Sequence, residues 1–525
     1  MTPLPRTLSH AAARRGPARR LRLALALLLV AVTTAPPATS DAQRSRTRTA
    51  RRAAARPPRP PGPTTPRSRE ALAADLATMI GQSTRSGTWG VMVLSLTRGD
   101  TLYALNAGEP MQPASTMKLM TSALALRRLG PDHRFRTTVY RTGPLLADGT
   151  VQGDLVLRGA GDPAFSGRYL SGGPEAPVDL LAHVVAGAGV RHVTGSIVGD
   201  PTAFETRLVP AGWKETYLHL AYAAPVSALS INENVAWITV APQGAGAAAR
   251  VTFEPATTGV PIVNRVRTRA GRGSSIVVIN RPEGGFEVRG WIGTRAAPRR
   301  VQMVIPDPAP SVTGAFREAL RRAGVTVDGG VRLGPTPDGA EPVGALPSPP
   351  LSHLLAAMNR ESINHYAELI FRNAARGPSG TEVGSAEHGD AVLRAFLTRE
   401  VGVTSNAVVA TDGSGLSVLD RVTPRAMAKL LAYAHEAPWS DAFHASLPVA
   451  GESELLRLRM RASPAQGNLH AKTGTTDEVI ALAGYTTAEN GEILAFAFLY
   501  NGTDRWRARD AIDRMGETLS GFARD

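Results

Sequence analysis

The chain has 525 residues, no cysteine and a formal net charge of +15. This length predicts two or three domains rather than one core, and the lack of cysteine excludes disulfides, metal-thiolate sites and thiol nucleophiles. The charge is uneven, because residues 1–69 contain 15 arginines and one acid, whereas the remainder contains 44 basic and 43 acidic residues. A body so close to neutral argues against nucleic acid as a partner.

The N-terminus has the pattern of an export signal. A cluster of arginines between residues 14 and 22 precedes an apolar stretch from Leu23 to Val32, and small residues at 35–42 offer cleavage sites. Because about 20 apolar residues are needed to span a bilayer, residues 1–42 are predicted to be a signal peptide, with an uncleaved anchor as the alternative. The protein is therefore expected to be exported, to the periplasm or another extracytoplasmic location.

Residues 43–69 are rich in Arg, Pro and Thr and are predicted to form a disordered linker, since they contain little apolar surface to bury. A solvated spacer is one interpretation of this segment. Peripheral association with acidic wall polymers or anionic lipid is the other. The histidines show no spacing typical of metal ligands, so neither a metal site nor an organic cofactor is expected.

The folded part is predicted to begin with a helix over Glu70–Ile80, followed by strands over Trp89–Leu96 and Thr101–Leu105. A run of helix-forming residues then extends from Thr116 to Leu129. It ends at Gly130-Pro131, a glycine followed by a helix breaker.

From about residue 135 to 345, short β-rich runs are separated by Gly, Pro and Asp, and one helical run covers Ser311–Ala323. The strands predicted here include Asp154–Arg158, Ala236–Val240, Arg250–Phe253, Ser275–Ile279 and Val301–Ile305. Residues 137–345 are therefore predicted to form one or two inserted β-rich domains, closed by a proline-rich boundary at 346–350.

The last third is again a mixture of helices and strands. Its predicted helices are Leu351–Asn359, His365–Arg372 and Trp506–Leu519, and its predicted strands are Leu469–Lys472, Val479–Tyr485 and Ile493–Tyr500. The Asn490-Gly491 dipeptide indicates a hairpin turn. The predicted fold class is α/β (α+β), in which residues 70–136 and 346–525 form one domain around the insertion.

Only four of the 59 basic residues are lysine: Lys118, Lys214, Lys429 and Lys472. A buried lysine can act as a base or as a compact charge, whereas arginine keeps its proton in proteins. Two of the four occur in short motifs, Ser115-Thr116-Met117-Lys118 and Lys472-Thr473-Gly474-Thr475. These are Ser-x-x-Lys and Lys-Thr-Gly sequences, which accompany acyl-enzyme chemistry.

Ser115 and Lys118 are three residues apart at the start of a predicted helix, so their side chains share one face. The amine can take the hydroxyl proton if burial lowers its pKa. The alternative is that Ser115 only caps the helix.

The second lysine motif is predicted on a strand that leads into a turn. There Lys472 can hold a substrate carboxylate, Thr473 can hydrogen-bond to it, and Gly474 allows close approach of the substrate backbone. The alternative is an ordinary strand end.

Ser362-Ile363-Asn364 lies between two helical segments, and in extended backbone its first and third side chains would face one cleft. A polar interhelical loop is the alternative. The order Ser-x-x-Lys, Ser-x-Asn, Lys-Thr-Gly nevertheless favours a catalytic set.

This set resembles the D-alanyl-D-alanine carboxypeptidase/endopeptidase family of the penicillin-binding protein 4 type (peptidase family S13). Other similar stretches are 153–155 with 161–163, 224–230, 412–417, 447–451 and 483–485, and the resemblance runs from about residue 68 to the C-terminus. Two positions depart from it. Val418 stands where the family often has Arg, and Tyr217 stands where many members have an acid.

The resemblance implies a penicillin-binding/β-lactamase-like transpeptidase domain that acts on peptidoglycan stem peptides and is covalently inhibited by β-lactams. The implied roles are Ser115 as nucleophile, Lys118 as base, Ser362 as proton relay, Asn364 as partner of the substrate amide, Lys472 and Thr473 as carboxylate ligands beside Gly474, and the backbone N–H groups of Ser115 and Thr475 as oxyanion hole. A serine β-lactamase and a non-catalytic wall-binding protein are the alternative functions. The balance between carboxypeptidase and endopeptidase activity stays open.

Overall fold

The computed structural model describes residues 62–257 and 259–525. The predicted signal peptide 1–42 and residues 43–61 of the predicted linker lie outside the described residues. The prediction of a disordered linker is wrong for residues 62–69, because members of this segment form hydrogen bonds with the C-terminal part of the chain. The Thr64 N–H donates to Thr518 Oγ1 at 3.1 Å, and the carbonyl of buried Pro66 accepts from the N–H of Ala523.

The described ranges contain ten α-helices and 21 β-strands. In chain order the helices are α1 (Arg69–Ser83), α2 (Met117–Leu129), α3 (Ala176–Gly187), α4 (Pro308–Arg322), α5 (Leu351–Glu361), α6 (Asn364–Arg376), α7 (Ala386–Phe396), α8 (Pro424–Glu436), α9 (Ser440–Ala445) and α10 (Arg505–Ser520). The strands are β1 (Thr88–Ser95), β2 (Thr101–Leu105), β3 (Arg136–Arg141), β4 (Thr150–Val151), β5 (Leu155–Arg158), β6 (His192–Val193), β7 (Ile197–Asp200), β8 (Val235–Ala241), β9 (Arg250–Glu254), β10 (Ile262–Arg269), β11 (Ser274–Asn280), β12 (Phe286–Gly293), β13 (Arg299–Val304), β14 (Thr326–Val327), β15 (Val331–Leu333), β16 (Glu341–Pro347), β17 (Val408–Val409), β18 (Arg421–Val422), β19 (His470–Thr475), β20 (Val479–Thr487) and β21 (Ile493–Asn501).

One five-stranded antiparallel sheet, in the order β19-β20-β21-β1-β2, joins early and late parts of the chain. Successive side chains of β21 point alternately into two hydrophobic cores, so the strand is apolar along nearly its whole length. Phe496 and Phe498 pack with α1 and α10, whereas Ala497 and Leu499 pack with α2 and α8. The predicted hairpin between β20 and β21 is confirmed, with Gly491 at a φ of 85°.

The edge strand of this sheet is β19, which carries the Lys-Thr-Gly motif. Strand β20 pairs with one side of β19, and the start of the other side is bridged by Val449, which pairs with His470. The motif itself packs against the 3-10 turn at Ala114–Thr116. This arrangement places the motif at the boundary between the sheet and the helical layer.

Strands β3 to β16, between residues 136 and 347, form further sheets. A second five-stranded sheet has the order β15-β7-β5-β3-β16, and α3 and α4 pack against it around a core that includes Leu155, Leu181 and Phe316. Two three-stranded sheets, β10-β12-β11 and β13-β8-β9, share a second core around Ile238 and Phe286. The division of residues 137–345 from 70–136 and 346–525 stays a prediction.

One helix is predicted in this region, but its described residues contain two α-helices. Helix α3 is the additional one, and it buries Val178, Leu181, Ala182 and Val185. These positions have helical spacing, yet valines and glycines favour other structures locally. Packing against the sheet therefore decides the conformation of this segment.

The mixture of helices and strands confirms the predicted α/β class. Across the part of the chain that the structure describes, no helix combines the length and apolar character needed to cross a membrane.

Candidate active site

Ser115 lies in a 3-10 turn, Ala114–Thr116, that leads directly into α2. Ala114 adopts a φ of 46°, a left-handed conformation that is strained for a residue with a side chain. Two glycines make room for this turn. A Cβ atom on Gly415 would lie 1.8 Å from the carbonyl oxygen of Ala114, and one on Gly474 would lie 2.8 Å from that of Pro113.

The hydroxyl of Ser115 faces Lys118 rather than the helix backbone. Lys118 Nζ donates to Ser115 Oγ at 3.0 Å, and within this described segment neither the turn nor α2 has a side-chain N-cap. The alternative in which Ser115 caps the helix is therefore wrong. Its hydroxyl is left to interact with the amine and with the cleft.

Lys118 has no exposed surface, although it carries an amine. Besides Ser115, it donates to Asn364 Oδ1 at 2.6 Å and to the carbonyl of Ser414 at 2.8 Å. Burial lowers the pKa of Lys118 to about 7, and the negative charges of nearby carboxyl groups oppose this shift. Near neutral pH the amine is thus partly unprotonated, which a general base requires.

The loop after Thr411 is organised around the buried carboxylate of Asp412. Its oxygens accept from the backbone N–H groups of residues 414, 415 and 417, and from Trp213 Nε1 at 2.7 Å. Asp420 lies beside it, and burial followed by the charge of Asp412 raises the pKa of Asp420 well above its usual range. The loop holds the Ser414 carbonyl against Lys118.

Ser362 and Lys472 form a second hydroxyl–amine pair. Lys472 Nζ donates to Ser362 Oγ at 2.9 Å and to the carbonyl of Thr473 at 2.9 Å, and the lysine is fully buried. Burial, and then the charge of Lys118, lower the pKa of Lys472 well below its usual range. Two buried lysines with lowered pKa therefore lie next to the two serine hydroxyls.

The expectation of extended backbone at Ser362-Ile363-Asn364 is wrong. Ser362 ends α5 with a φ of 61°, in the left-handed region, and Asn364 is the first residue of α6. The tight connection between two helices leaves no room for a strand-like segment. Both side chains still face the same cleft, where Asn364 Nδ2 donates to the carbonyl of Tyr222 at 2.9 Å.

These groups surround a cleft of about 340 Å³. Its lining residues are Ser115, Tyr217, Tyr222, Ser362, Asn364, Gly415, Leu416, Thr475, Thr476, Asp477 and Arg505. Among the eight residues predicted from sequence, four line this cleft and two, Lys118 and Lys472, lie buried beneath it. Thr473 and Gly474 belong to the adjacent strand β19, and Thr473 is buried.

Several lining residues are absent from the predicted set. Tyr217 OH donates to Asp477 Oδ2 at 2.5 Å, and this bond joins the inserted region to the turn after β19. Lys214 Nζ and Arg505 Nη1 lie 3.9 and 3.8 Å from the same carboxylate. The sequence departure at Tyr217 pointed to this position, but no local pattern indicated Asp477 or Arg505.

Comparisons with known proteins agree on one family. The profile of the D-Ala-D-Ala carboxypeptidase 3 (S13) family matches residues 72–521. The D-alanyl-D-alanine carboxypeptidase of Actinomadura sp. (strain R39) is 37% identical over 430 residues, which cover 79% of this chain and 77% of that protein. The D-alanyl-D-alanine carboxypeptidase DacB of Haemophilus influenzae is 24% identical over 425 residues, or 79% of this chain and 85% of that one.

The fold also matches solved structures. The crystal structure of penicillin-binding protein 4 from Haemophilus influenzae aligns with a TM-score of 0.71 at 22% identity, covering 85% of this chain and 98% of that one. A second structure of that protein, complexed with a β-lactam, gives a TM-score of 0.65 at 23% identity, with coverages of 82% and 93%. These likenesses establish the shared fold.

Proposed function

The chain belongs to the D-Ala-D-Ala carboxypeptidase (S13) family and is a serine-type hydrolase of that class, and we propose that Ser115 is its nucleophile. The substrate is the D-Ala–D-Ala end of peptidoglycan stem peptides. The observation that carries the assignment is the 3.0 Å contact between Ser115 Oγ and the fully buried amine of Lys118.

In acylation, unprotonated Lys118 takes the proton of Ser115 as Oγ attacks the carbonyl carbon of the penultimate D-Ala. The carbonyl oxygen becomes negative, and the backbone N–H groups of Ser115 and Thr475 donate to it. Each such donor contributes ~2.7–4 kcal/mol to lowering the barrier. The C–N bond then breaks, which leaves the acyl group on Ser115.

The leaving amine needs a proton at this step. Ser362 delivers its own proton to that nitrogen and takes up in its place the proton that Lys118 removed from Ser115, which returns Lys118 to its unprotonated form. Lys472, whose Nζ lies 2.9 Å from Ser362 Oγ, keeps its proton and holds that hydroxyl in place. Lys472 and Thr473 bind the terminal carboxylate of the departing D-Ala, and Gly474 keeps the strand open to the substrate backbone. Asn364 orients the substrate amide while its Oδ1 fixes Lys118.

Deacylation completes the cycle. A water molecule gives a proton to Lys118 and attacks the ester carbonyl, and Ser115 leaves with a proton from the same amine. The products are free D-Ala and a shortened stem peptide. β-Lactams follow the first step, because their strained amide occupies the place of the scissile bond.

The test is the intact mass of the purified protein after incubation with a β-lactam. We expect one covalent adduct of the drug, absent in Ser115→Ala. No adduct with unchanged drug would support a non-catalytic wall-binding protein instead. No adduct with hydrolysed drug would support a β-lactamase.

We also propose that the protein acts outside the cytoplasm and that its basic residues 43–61 attract anionic lipid or wall polymers. The arginines and the apolar stretch at the N-terminus support export. A form beginning at residue 43 should bind anionic vesicles at low salt more tightly than one beginning at residue 62. Equal binding of the two forms would contradict this association.

A further inference from the structure

Strand β11 (Ser274–Asn280) is an outer strand of the three-stranded sheet β10-β12-β11. The opposite edge of that sheet is covered by residues 246–249, whose backbone bonds to β10. One of these bonds runs from the N–H of Ala249 to the carbonyl of Val266 at 2.9 Å. Among the described residues, β11 pairs with β12 alone. The other side of β11 is therefore an open edge, with a row of backbone N–H and C=O groups that can bind another strand.

The hydrogen bonds at the two ends of β11 show which residues face the open edge. The N–H of Gly293 donates to the carbonyl of Gly273 at 2.8 Å, and the N–H of Arg281 donates to the carbonyl of Gly285 at 3.1 Å. Because alternate residues of an antiparallel strand bond to the same neighbour, the odd-numbered residues of β11 bond to β12. The backbone groups of residues 274, 276, 278 and 280 therefore face the open edge.

The side chains of β11 provide none of the features that protect open edges in other sheets. The strand contains no charged residue and no proline, and it pairs with β12 without a bulge. Val277 and Ile279 are apolar but keep 54% and 39% of their surface exposed. Ile276 and Val278 point to the other face, where they pack against the core around Phe286. An apolar edge of seven residues is thus suited to pairing with another strand.

We propose that β11 pairs in antiparallel fashion with β11 of a second copy of this chain, with the two-fold axis at Val277. Residue 276 then lies opposite residue 278 of the partner subunit, and residue 274 lies opposite residue 280. These pairs join the outward-facing backbone groups through about eight hydrogen bonds. Val277 lies opposite its own symmetry mate, with about 4.5 Å between the two Cα atoms. The inference does not depend on the catalytic roles proposed above.

The charges around the open edge favour a second copy as the partner. Since β11 carries no charge, pairing with itself places no like charges opposite each other. Just beyond the strand, exposed Arg272 of one copy lies opposite residue 282 of the other and beside exposed Glu283. The two-fold axis repeats this contact between opposite charges at the other end of the paired strands. The carboxylate of Glu283 also accepts from Arg281 of its own chain.

The geometry also limits the size and the strength of the assembly. The pairing uses the open edge of both copies, so it closes as a dimer instead of growing into a fibre. Two seven-residue strands bury less than the roughly 1,200 Å² of stable complexes, so the dimer should be weak, with a Kd on the order of 10 µM.

Sedimentation equilibrium of the purified protein, from about 1 to about 200 µM, tests for this dimer. We expect the average mass to rise from one chain towards two. Val277→Lys should raise the dimer Kd at least ~tenfold, because it places two ammonium groups opposite each other. Val383→Lys is the matched control, since Val383 is 55% exposed and lies outside these sheets, and it should keep the wild-type Kd. A mass that stays at one chain, growth beyond two chains, or equal effects of the two variants would overturn the inference.

Disulfide cross-linking tests the register, since the protein has no cysteine of its own. Val277→Cys should form a cross-linked dimer on mild oxidation, because the two Cα atoms lie within the range that a disulfide spans. Ile279→Cys should not cross-link to itself, since residue 279 lies opposite residue 275 and about 14 Å from its own symmetry mate.

A mixture of Ser275→Cys and Ile279→Cys chains should instead join unlike chains, which intact mass distinguishes from like pairs. Val383→Cys, with the same exposure as Val277, measures cross-linking by random collision. Equal cross-linking of Val277→Cys and Val383→Cys, or a preference of Ile279→Cys for itself, would overturn the proposed pairing.

Discussion

Arg372 Nη1 donates to Glu368 Oε2 at 2.8 Å, one turn apart on α6, and neither side chain has any exposed surface. The other oxygen of Glu368 accepts from the N–H of Gly413 at 3.1 Å. The next residue, Ser414, presents its carbonyl to Lys118. This buried ion pair therefore supports the loop that positions the proposed base.

Glu368→Gln should destabilise the protein, because the buried guanidinium of Arg372 then keeps only the main-chain carbonyl of residue 368 at 3.3 Å and one carboxylate, that of Glu205, at 3.5 Å. Breaking a buried pair on one side costs ~3–5 kcal/mol of unfolding free energy. Urea denaturation measures this loss, and Glu368→Gln/Arg372→Met should recover most of it. Glu318→Gln, which removes an exposed pair with Arg321, is the control and should cost less than ~1 kcal/mol. A single variant as stable as the wild type would contradict the role of the pair.

Acylation of Ser115 by a β-lactam should depend on the protonation of Lys118. Because burial lowers the pKa of Lys118 to about 7, the unprotonated base predominates above that pH and is lost below it. The second-order acylation rate should therefore fall about tenfold per pH unit on the acidic side. Lys118→Arg keeps its proton and should lose ~10²–10⁴ of the rate. The exposed Lys429→Arg should retain the wild-type rate and pH profile.

The acidic side of the pH–rate profile for acylation, called here the acidic limb, should also move in Glu368→Gln, which removes the charge at this position. The charge of Glu368 helps to hold the proton on Lys118 and so raises the pKa of that lysine. Burial raises the pKa of Glu368 itself to about 7, so this charge acts mainly at and above that pH. In Glu368→Gln the limb should shift to lower pH, provided that the folded fraction is measured in parallel. An unchanged acidic limb, in protein shown to be folded, would mean that Glu368 does not influence the pKa of Lys118.

Gly415→Ala should disrupt the turn that carries Ser115. The new Cβ would collide with the Ala114 carbonyl, and the φ of 81° at Gly415 adds left-handed strain. Misplacement of the nucleophile by about 1 Å costs ~10² in rate. Gly402→Ala is a matched control, since its φ of 72° imposes similar strain in open space. It should lose ~1–2 kcal/mol of stability and keep its acylation rate.

Tyr217→Phe removes the bond to Asp477 that joins the two sides of the cleft. A hydrogen bond to a charged group contributes ~1.5–3 kcal/mol, so kcat/KM for a stem peptide should fall by roughly 10- to 100-fold. Acylation by a small β-lactam should change little, because this contact lies at the rim that a longer peptide crosses. Tyr103→Phe, on β2 outside the cleft, controls for loss of a hydroxyl. An equal fall in kcat/KM for the peptide and in the rate of acylation by the β-lactam would mean that the bond stabilises the fold rather than binding the peptide.

The motifs predicted four of the eleven residues that line the cleft and the two lysines beneath it, because the serines and lysines of these motifs follow fixed local spacings. Ser115 and Lys118 share one helical face, and that relation depends on only three residues of chain. Their partners from elsewhere were identified by motif order rather than by geometry, so the left-handed backbone at Ser362 was missed. The proposed catalytic roles stay predictions until the variants are measured.

Residues that act through packing could not be predicted in the same way. Glu368 and Arg372 have ordinary helical spacing, and only the elements packed against α6 make their charges fully buried. Tyr217 and Asp477 lie far apart in sequence, and no pattern within either segment indicates the other. The strands and helices were easier to predict from sequence, because the apolar periodicity in β20, β21 and α10 is a local property.

The pairing of Thr88 with Asn501 means that the central sheet, β19-β20-β21-β1-β2, is closed by segments from opposite parts of the chain. A polypeptide that emerges N-terminus first presents Ser115 long before Lys472 and β21 are available. The sheets between residues 136 and 347 can form in that interval, whereas closure of the central sheet requires long-range contacts and is expected to be slow. The order of synthesis thus keeps Ser115, the proposed nucleophile, without its full set of partners until nearly the whole protein has emerged.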